Sequence, residues 1–169
     1  MAILRVREVP DPILRQKAKK VRRIDPYVNR LIDDMIDTMY DAGGVGLAAN
    51  QVGVLLRVIV IHLPDEELPR IYVNPEIVSR EGQRELEEGC LSIPGYRGLI
   101  MRAVQVKARG LDRQGKLVKV TAEGLLSQAL EHETDHLNGI LYIDHLDSHE
   151  KLHKITPEEV AVESGPGGS

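Results

Sequence analysis

The sequence predicts an α+β fold in which mixed or antiparallel strands pack around a central metal-binding His-Glu-x-x-His helix, with a second helix near the N-terminus. Two observations carry the fold class. Strand-like stretches fall in one block between residues 52 and 120, without the regular alternation with helices that a parallel α/β sheet requires. Helical apolar spacing is confined to two segments, and the second contains His132-Glu133-Thr134-Asp135-His136. A third observation sets the domain count. At 169 residues the chain suits one domain with a real core, expected over 1–163. The Gly165-Pro166-Gly167-Gly168-Ser169 end makes 164–169 a flexible tail.

Each element has its own signal. After an extended start broken by Pro10 and Pro12, Asp25-Pro26 reads as the N-cap and first position of a helix running to about Tyr40. Val28, Leu31, Ile32, Met35 and Met39 give it one apolar face, and Gly43-Gly44 stop it. The small, nearly uncharged stretch Gly44-Val45-Gly46-Leu47-Ala48-Ala49-Asn50-Gln51 suits a backbone passing close to another element or to a ligand, and suits a tightly packed turn equally. Val52 to Leu63, interrupted only by Arg57, reads as a strand buried on both faces. Pro64 to Pro69 turn the chain into a strand region beginning at Ile71 and leading to Glu88-Gly89-Cys90-Leu91-Ser92. Alternation at Val104, Val106 and Ala108, a turn at Asp112-Arg113-Gln114-Gly115, then Leu117, Val118 and Val120 predict an antiparallel hairpin. The His-Glu-x-x-His helix follows, capped by Asn138-Gly139, and Ile140 to Ile143 reads as a short strand.

Composition narrows the function classes. With no Phe or Trp and only five Tyr, the core is aliphatic and little surface is available for stacking on bases. A net charge of -4 also argues against a general nucleic-acid binder. The local basic run Arg15, Lys17, Lys19, Lys20, Arg22 and Arg23 reads first as a solvated loop, with a transient ribosome contact as the minority reading. No apolar h-region follows Met1-Ala2-Ile3-Leu4-Arg5, and no stretch of about 18 apolar residues occurs. A cytoplasmic protein is therefore expected, in a bacterial cytosol or, for a processed form, an organelle matrix. The single cysteine, Cys90, excludes an internal disulfide and leaves a buried thiol, a nucleophile or a metal ligand.

The helix around His132 suggests a metal. Residues four apart share a helix face, so His132 and His136 can share one ion. At about 100° per residue, Leu125, Ala129 and His136 cluster beside His132, followed by Glu133, Leu126, Leu137 and Leu130. Ser127, Thr134, Glu131, Asp135 and Gln128 fill the opposite arc, the composition of a face meeting water or polar neighbours. Glu133 thus points inward, where an ionised carboxylate is costly without a charged or hydrogen-bonding partner. An ordinary amphipathic helix with two satisfied histidines leaves it none. His149-Glu150-Lys151-Leu152-His153 repeats the pattern, but inside the polar run Asp147 to Lys154 with no apolar arc, and is expected to be a coincidence.

Three segments in order, Gly44 to Gln51, Glu88 to Ser92 and His132 to His136, resemble the three motifs of the peptide deformylases. The likeness extends from Asp11-Pro12-Ile13-Leu14-Arg15 through Leu146. That resemblance implies an enzyme removing the N-formyl group from the formyl-methionine of newly made polypeptides and releasing formate. It implies one ferrous ion per chain, replaceable by zinc, nickel or cobalt, held by Cys90, His132 and His136. It makes Glu133 the catalytic acid/base, and Gln51 and the Leu91 backbone N–H the donors to the formyl oxygen. Without the resemblance, Gln51 reads as a polar residue at a strand entrance. Val45, Leu125 and Ala129 would line the methionine pocket, while Gly46 and Gly89 admit the substrate backbone. Three protein ligands leave an ion one open position, as in catalytic rather than structural sites.

The sequence departs from the family pattern twice. Glu131 stands where Gln is frequent, and its place on the polar arc predicts little effect on the chemistry. The chain continues only briefly past Leu146, where many members carry a long basic helix that contacts the ribosome, so docking of that kind is not expected. Two other readings stay open. One is a metallopeptidase taking its third ligand from His145 or His149, and the other is a metal-stabilised binding module without catalysis.

Overall fold

A computed structural model describes residues 2–155. The expected boundary at residue 163 and the tail 164–169 lie outside those residues.

Helix α1, Pro26–Ala42, starts where the Asp25 carboxylate accepts the Val28 N–H at 2.9 Å and ends at Gly43, whose φ of 70° reverses the chain. Its predicted apolar face is buried: Val28, Leu31, Ile32, Met35 and Met39 are each at most 5% exposed. That face covers one side of a five-stranded antiparallel sheet of order β1-β2-β3-β6-β7. Its strands are β1 (Gly46–Ala48), β2 (Val58–Ile61), β3 (Arg70–Glu81), β6 (Gln105–Leu111) and β7 (Leu117–Glu123). Helix α2, Gly124–Leu137, covers the other side. Alternation in β2 shows both contacts at once. Val58 and Val60 join the α1 cluster, while Ile59 and Ile61 join Ala129 and Leu130 of α2. A smaller antiparallel sheet of order β4-β5-β8 is formed by β4 (Arg84–Cys90), β5 (Ile93–Arg102) and β8 (Leu152–Lys154). It has its own apolar cluster of Leu14, Ile93, Ile100, Leu141 and Tyr142.

Three expectations are corrected, and one strand is added. The strand expected over Val52 to Leu63 is only the four residues of β2. Ala49–Val52 form a 3-10 turn closed by Gly53 at φ 86°, and Arg57 leaves the strand direction to reach the end of α2. In place of a strand over Ile140 to Ile143, Tyr142–His145 form a 3-10 turn. The Asp144 carboxylate closes it by accepting the Leu141 N–H at 3.0 Å. Strand β5 has no counterpart in the sequence reading. Finally, α2 is buried on nearly every side: Ser127, Glu131 and Thr134, expected on the polar arc, are at most 7% exposed, whereas Leu125 is 39% exposed.

Glu131 shows why that polar arc can be buried. Its carboxylate accepts the Ala103 N–H at 2.9 Å and the Arg80 Nε–H at 3.0 Å. At Glu131 the polar face of α2 thus meets polar neighbours from the strands instead of water, which pairs its buried carboxylate. The last carbonyls of α2 are satisfied from outside too. Asn50 Nδ2 donates to the His136 carbonyl, Ala18 N to that of Leu137 at 2.8 Å, and Arg57 Nη1 to Leu137 at 3.0 Å.

Candidate metal centre

Cys90 ends β4, and His132 and His136 lie one turn apart on α2, so the site forms where the small sheet meets the central helix. The potential ligand atoms of the three residues lie within 4.8 Å of one another, and they are the one such group among the described residues. His136 Nε2 is 3.2 Å from both Cys90 Sγ and His132 Nε2. An ion bound tetrahedrally at about 2.0–2.3 Å would separate its ligand atoms by roughly 3.3–3.6 Å. The three residues therefore fit a first-row divalent ion with little movement. Neither His145 nor His149 joins them: His145 Nε2 is 2.9 Å from Asp135 Oδ2, and His149 is exposed in a 3-10 turn.

Charge around the ligands favours a cation. Behind His132, Nδ1 lies 2.5 Å from Glu88 Oε1, which directs Nε2 toward the site. Burial works to raise the Glu88 carboxyl, but His132 and the doubly bonded Arg102 guanidinium together hold it well below the ordinary carboxylate range. Arg102 in turn donates to Asp135 at 2.8 Å. Burial alone disfavours a charged His132, yet the nearby Glu133, Glu88 and Cys90 raise it well above its usual value. The anions that would hold a proton there are equally suited to hold a dication. Burial and the neighbouring His132 keep His136 neutral, the form a ligand needs.

Glu133 is 4% exposed, with Oε1 buried and without a hydrogen-bond partner. Burial pushes its carboxyl up to about 7, with His132 opposing the shift. The backbone of β1 is pressed against it: a Cβ at Gly46 would lie 2.5 Å from Glu133 Oε2. Glycine at that position is first a packing requirement between the first and third motifs. At Gly44 a Cβ would lie 2.8 Å from Leu91 Cδ1, the end of a side chain that can turn aside, so the first motif lies against the second more loosely.

A cavity of about 400 Å³ opens beside the ligands. Val45, Gly46, Gln51, Gly89, Cys90, Leu91, Leu125, Ala129, His132 and Glu133 all line it, so the structure brings the expected site residues to one space, with His136 directly behind. Gln51 is 1% exposed, and its amide is oriented from two sides. Oε1 accepts the Ala48 N–H at 2.9 Å, and Nε2 donates to Ser92 Oγ at 3.1 Å while facing Cys90 Sγ at 3.8 Å. Sequence reasoning missed Glu88, Arg102, Ser92 and Asn50. One signal was available for Glu88, a carboxylate two residues before the cysteine in a strand. A break in the β4–β5 register between Glu88 and Cys90 re-aims both toward α2.

An α+β scaffold carrying a possible Cys-His-His metal-binding group with a buried carboxylate beside an open cavity has the arrangement of a metal-dependent hydrolase. The sequence model for polypeptide deformylases matches residues 3–152. The chain is 57% identical over 159 residues to a peptide deformylase of Dehalococcoides mccartyi strain CBDB1, spanning 94% of this chain and 95% of that one. The crystal structure of a peptide deformylase from Legionella pneumophila superimposes with a TM-score of 0.85 at 50% identity, covering 89% of each chain. One from Synechococcus elongatus, in complex with actinonin, gives 0.84 at 40% identity over 88% of this chain and 81% of that one. The chain belongs to the polypeptide deformylase family. It is an enzyme of protein biosynthesis, a hydrolase that removes the N-formyl group from nascent peptides. No described helix is long and apolar enough to cross a membrane.

Proposed function

We propose that residues 1–163 form one catalytic domain in which Cys90, His132 and His136 hold a single ferrous ion, and that α2 is thus the metal-binding helix. The observation that carries this reading is the convergence of the Cys90 thiol and both imidazoles within 4.8 Å at the cavity wall. When bound, the ion would polarise the formyl carbonyl and make a water reactive near neutral pH. The protein side chains supply the rest. Glu133, buried beside the ligands, takes the proton of the attacking water and returns it to the departing amine nitrogen. Gln51 Nε2 and the Leu91 N–H donate to the formyl oxygen as it gains negative charge. Val45, Leu125 and Ala129 offer an apolar wall for the methionine side chain, with Leu125 at the mouth, and Gly46 and Gly89 leave room for the substrate backbone.

Such a substrate is made wherever translation starts with formyl-methionine, which assigns the enzyme to a bacterial cytosol or an organelle matrix. The Arg15 to Arg23 run is the basic stretch available for a transient ribosome contact, although Arg15 is engaged by Asp144 at 2.5 Å. Stable nucleic-acid binding is not part of the reading.

Formate release from a formyl-Met peptide tests the chemistry, and metal analysis tests the ligands. Cys90→Ala should lose both metal and activity. A Cys90→Ala protein that keeps stoichiometric metal and cleaves internal peptide bonds would falsify the assignment. Ligand type alone suits zinc and iron about equally, so the iron assignment rests on family resemblance. Iron beside a half-buried thiolate is prone to oxidation. Enzyme prepared without oxygen should carry iron and be the more active, and equal activity with zinc in air would defeat that assignment alone.

A further inference from the structure

Residues 2–11 form no helix or strand, and the chain turns at Val9-Pro10. Two of their backbone N–H groups have partners that matter. Arg7 N donates to the Gln51 carbonyl at 2.7 Å, and Val9 N donates to the Ser92 carbonyl at 2.9 Å. Gln51 follows β1 of the large sheet, whereas Ser92 joins β4 to β5 of the small one. Two N–H groups of one short segment therefore hold a carbonyl that follows the large sheet and one that connects strands of the small sheet. On the opposite side of that clasp, the Gln51 and Ser92 side chains meet at 3.1 Å.

The arm is anchored on either side of the clasp. Leu4 N donates to Thr38 Oγ1 at 2.8 Å, and the Leu4 side chain packs on the α1 cluster. Leu14, 1% exposed, is buried in the cluster of the small sheet. Between them Arg7 pairs with Asp11 at 3.0 Å and lies over Gly53, where a Cβ would come within 2.7 Å of Nη2. Each end is thus fixed to a different half of the molecule, which makes the segment between them a spacer.

We propose that Arg7–Val9 is a positioning element for the reaction: its two N–H groups set the place of Gln51 relative to Cys90–Ser92, and hence the aim of the Gln51 amide at the formyl oxygen. A displacement of about 1 Å at a reacting centre costs on the order of 10²-fold in rate. The role rests on Gln51 as a donor to that oxygen. It predicts an effect on turnover that is separable from metal binding.

The test uses substitutions that separate the N–H from the side chain. Arg7→Pro removes the donor, and Arg7→Ala keeps it. Arg5→Pro places the same ring in the arm at a residue whose N–H bonds to no group among the described residues. Arg7→Pro should lower kcat by roughly 10- to 100-fold, with metal content unchanged and KM within a few-fold. Arg7→Ala and Arg5→Pro should stay within about threefold of the parent. Gln51→Ala, alone, should cost roughly 10²- to 10³-fold, and combined with Arg7→Pro should cost less than the product of the two. Deleting residues 2–9 is the second variant: kcat should fall and recover when a synthetic peptide of residues 2–9 is added. Equal kcat for Arg7→Pro and Arg7→Ala overturns the proposal. So does loss of metal or fold in step with activity in both variants, which would make the arm a stabilising strap. A silent Gln51→Ala instead removes the donor reading, whatever the arm variants do.

Discussion

Glu133 combines a buried position with a carboxyl that burial raises to about 7, so it can both accept and release a proton near neutral pH. Glu133→Gln keeps the size and the packing against Gly46 but cannot accept a proton. It should keep its metal and lose on the order of 10²- to 10⁴-fold in formate release, checked by metal analysis beside the assay; turnover within a few-fold of the parent would remove the role. Residues of this kind were legible in the sequence because a helix converts spacing directly into geometry: four apart is one face, and the residue after His132 turns inward. Glu88 and Arg102 were not legible. Their roles depend on how two strands and α2 meet, and no local period encodes that. Leu125, placed by the wheel on the inward arc beside His132, lines the same cavity but is 39% exposed, because burial depends on what lies opposite and not on the wheel.

Elements were read well where several local signals agreed. Helix α1 had an N-cap, a following proline, a 3.6-residue apolar period and a terminating glycine, and its ends fall within two residues of the expectation. Strand β5 carries Pro94, Gly95 and Gly98, which blur alternation, and its pairing with β4 and β8 is a tertiary fact. Arg57 was seen only as an interruption of a strand, but its guanidinium bonds Leu137 O and Asn138 Oδ1 at 3.0 Å and Ala18 O at 3.3 Å. It neutralises the carbonyl end of α2, which carries partial negative charge. Arg57→Met should cost about 2 kcal/mol of stability, read as a lower denaturant midpoint with unchanged slope, and a change under about 0.5 kcal/mol would show that water replaces the guanidinium. The second His-Glu-x-x-His also resolves at this scale. His149 is in a 3-10 turn and His153 in β8, so the two rings never share a helix face. His149→Ala and His153→Ala should leave metal content and activity near those of the parent, while His136→Ala abolishes both; metal loss in the His153 variant would reverse the choice of copy.

At the scale of the whole molecule, the three candidate ligands come from different layers. Cys90 belongs to the small sheet, and His132 and His136 to the helix packed on the large one. An ion shared by the three would therefore be a cross-link between the two sheets, and its binding energy would contribute to folding. A ligand at a thousand times its dissociation constant stabilises by about 4 kcal/mol. In a domain of this size that corresponds to roughly 8–16 °C in Tm. Removing the ion also leaves Glu133 buried beside His132, with its Oε1 lacking a hydrogen-bond partner. The loss should be local as well as global. Strands β3, β6 and β7 have no candidate ligand and are held by long antiparallel ladders, whereas β4 and β5 meet α2 through Cys90 and Glu88 of β4 and Arg102 of β5. Chelation should thus lower Tm and raise amide hydrogen exchange first in β4, β5 and the last turns of α2, leaving β3, β6 and β7 most protected. Hydrogen exchange followed by mass spectrometry before and after chelation measures this directly. Uniform loss of protection would mean that the ion acts through global stability alone, and unchanged Tm and exchange would mean that the two sheets do not depend on it.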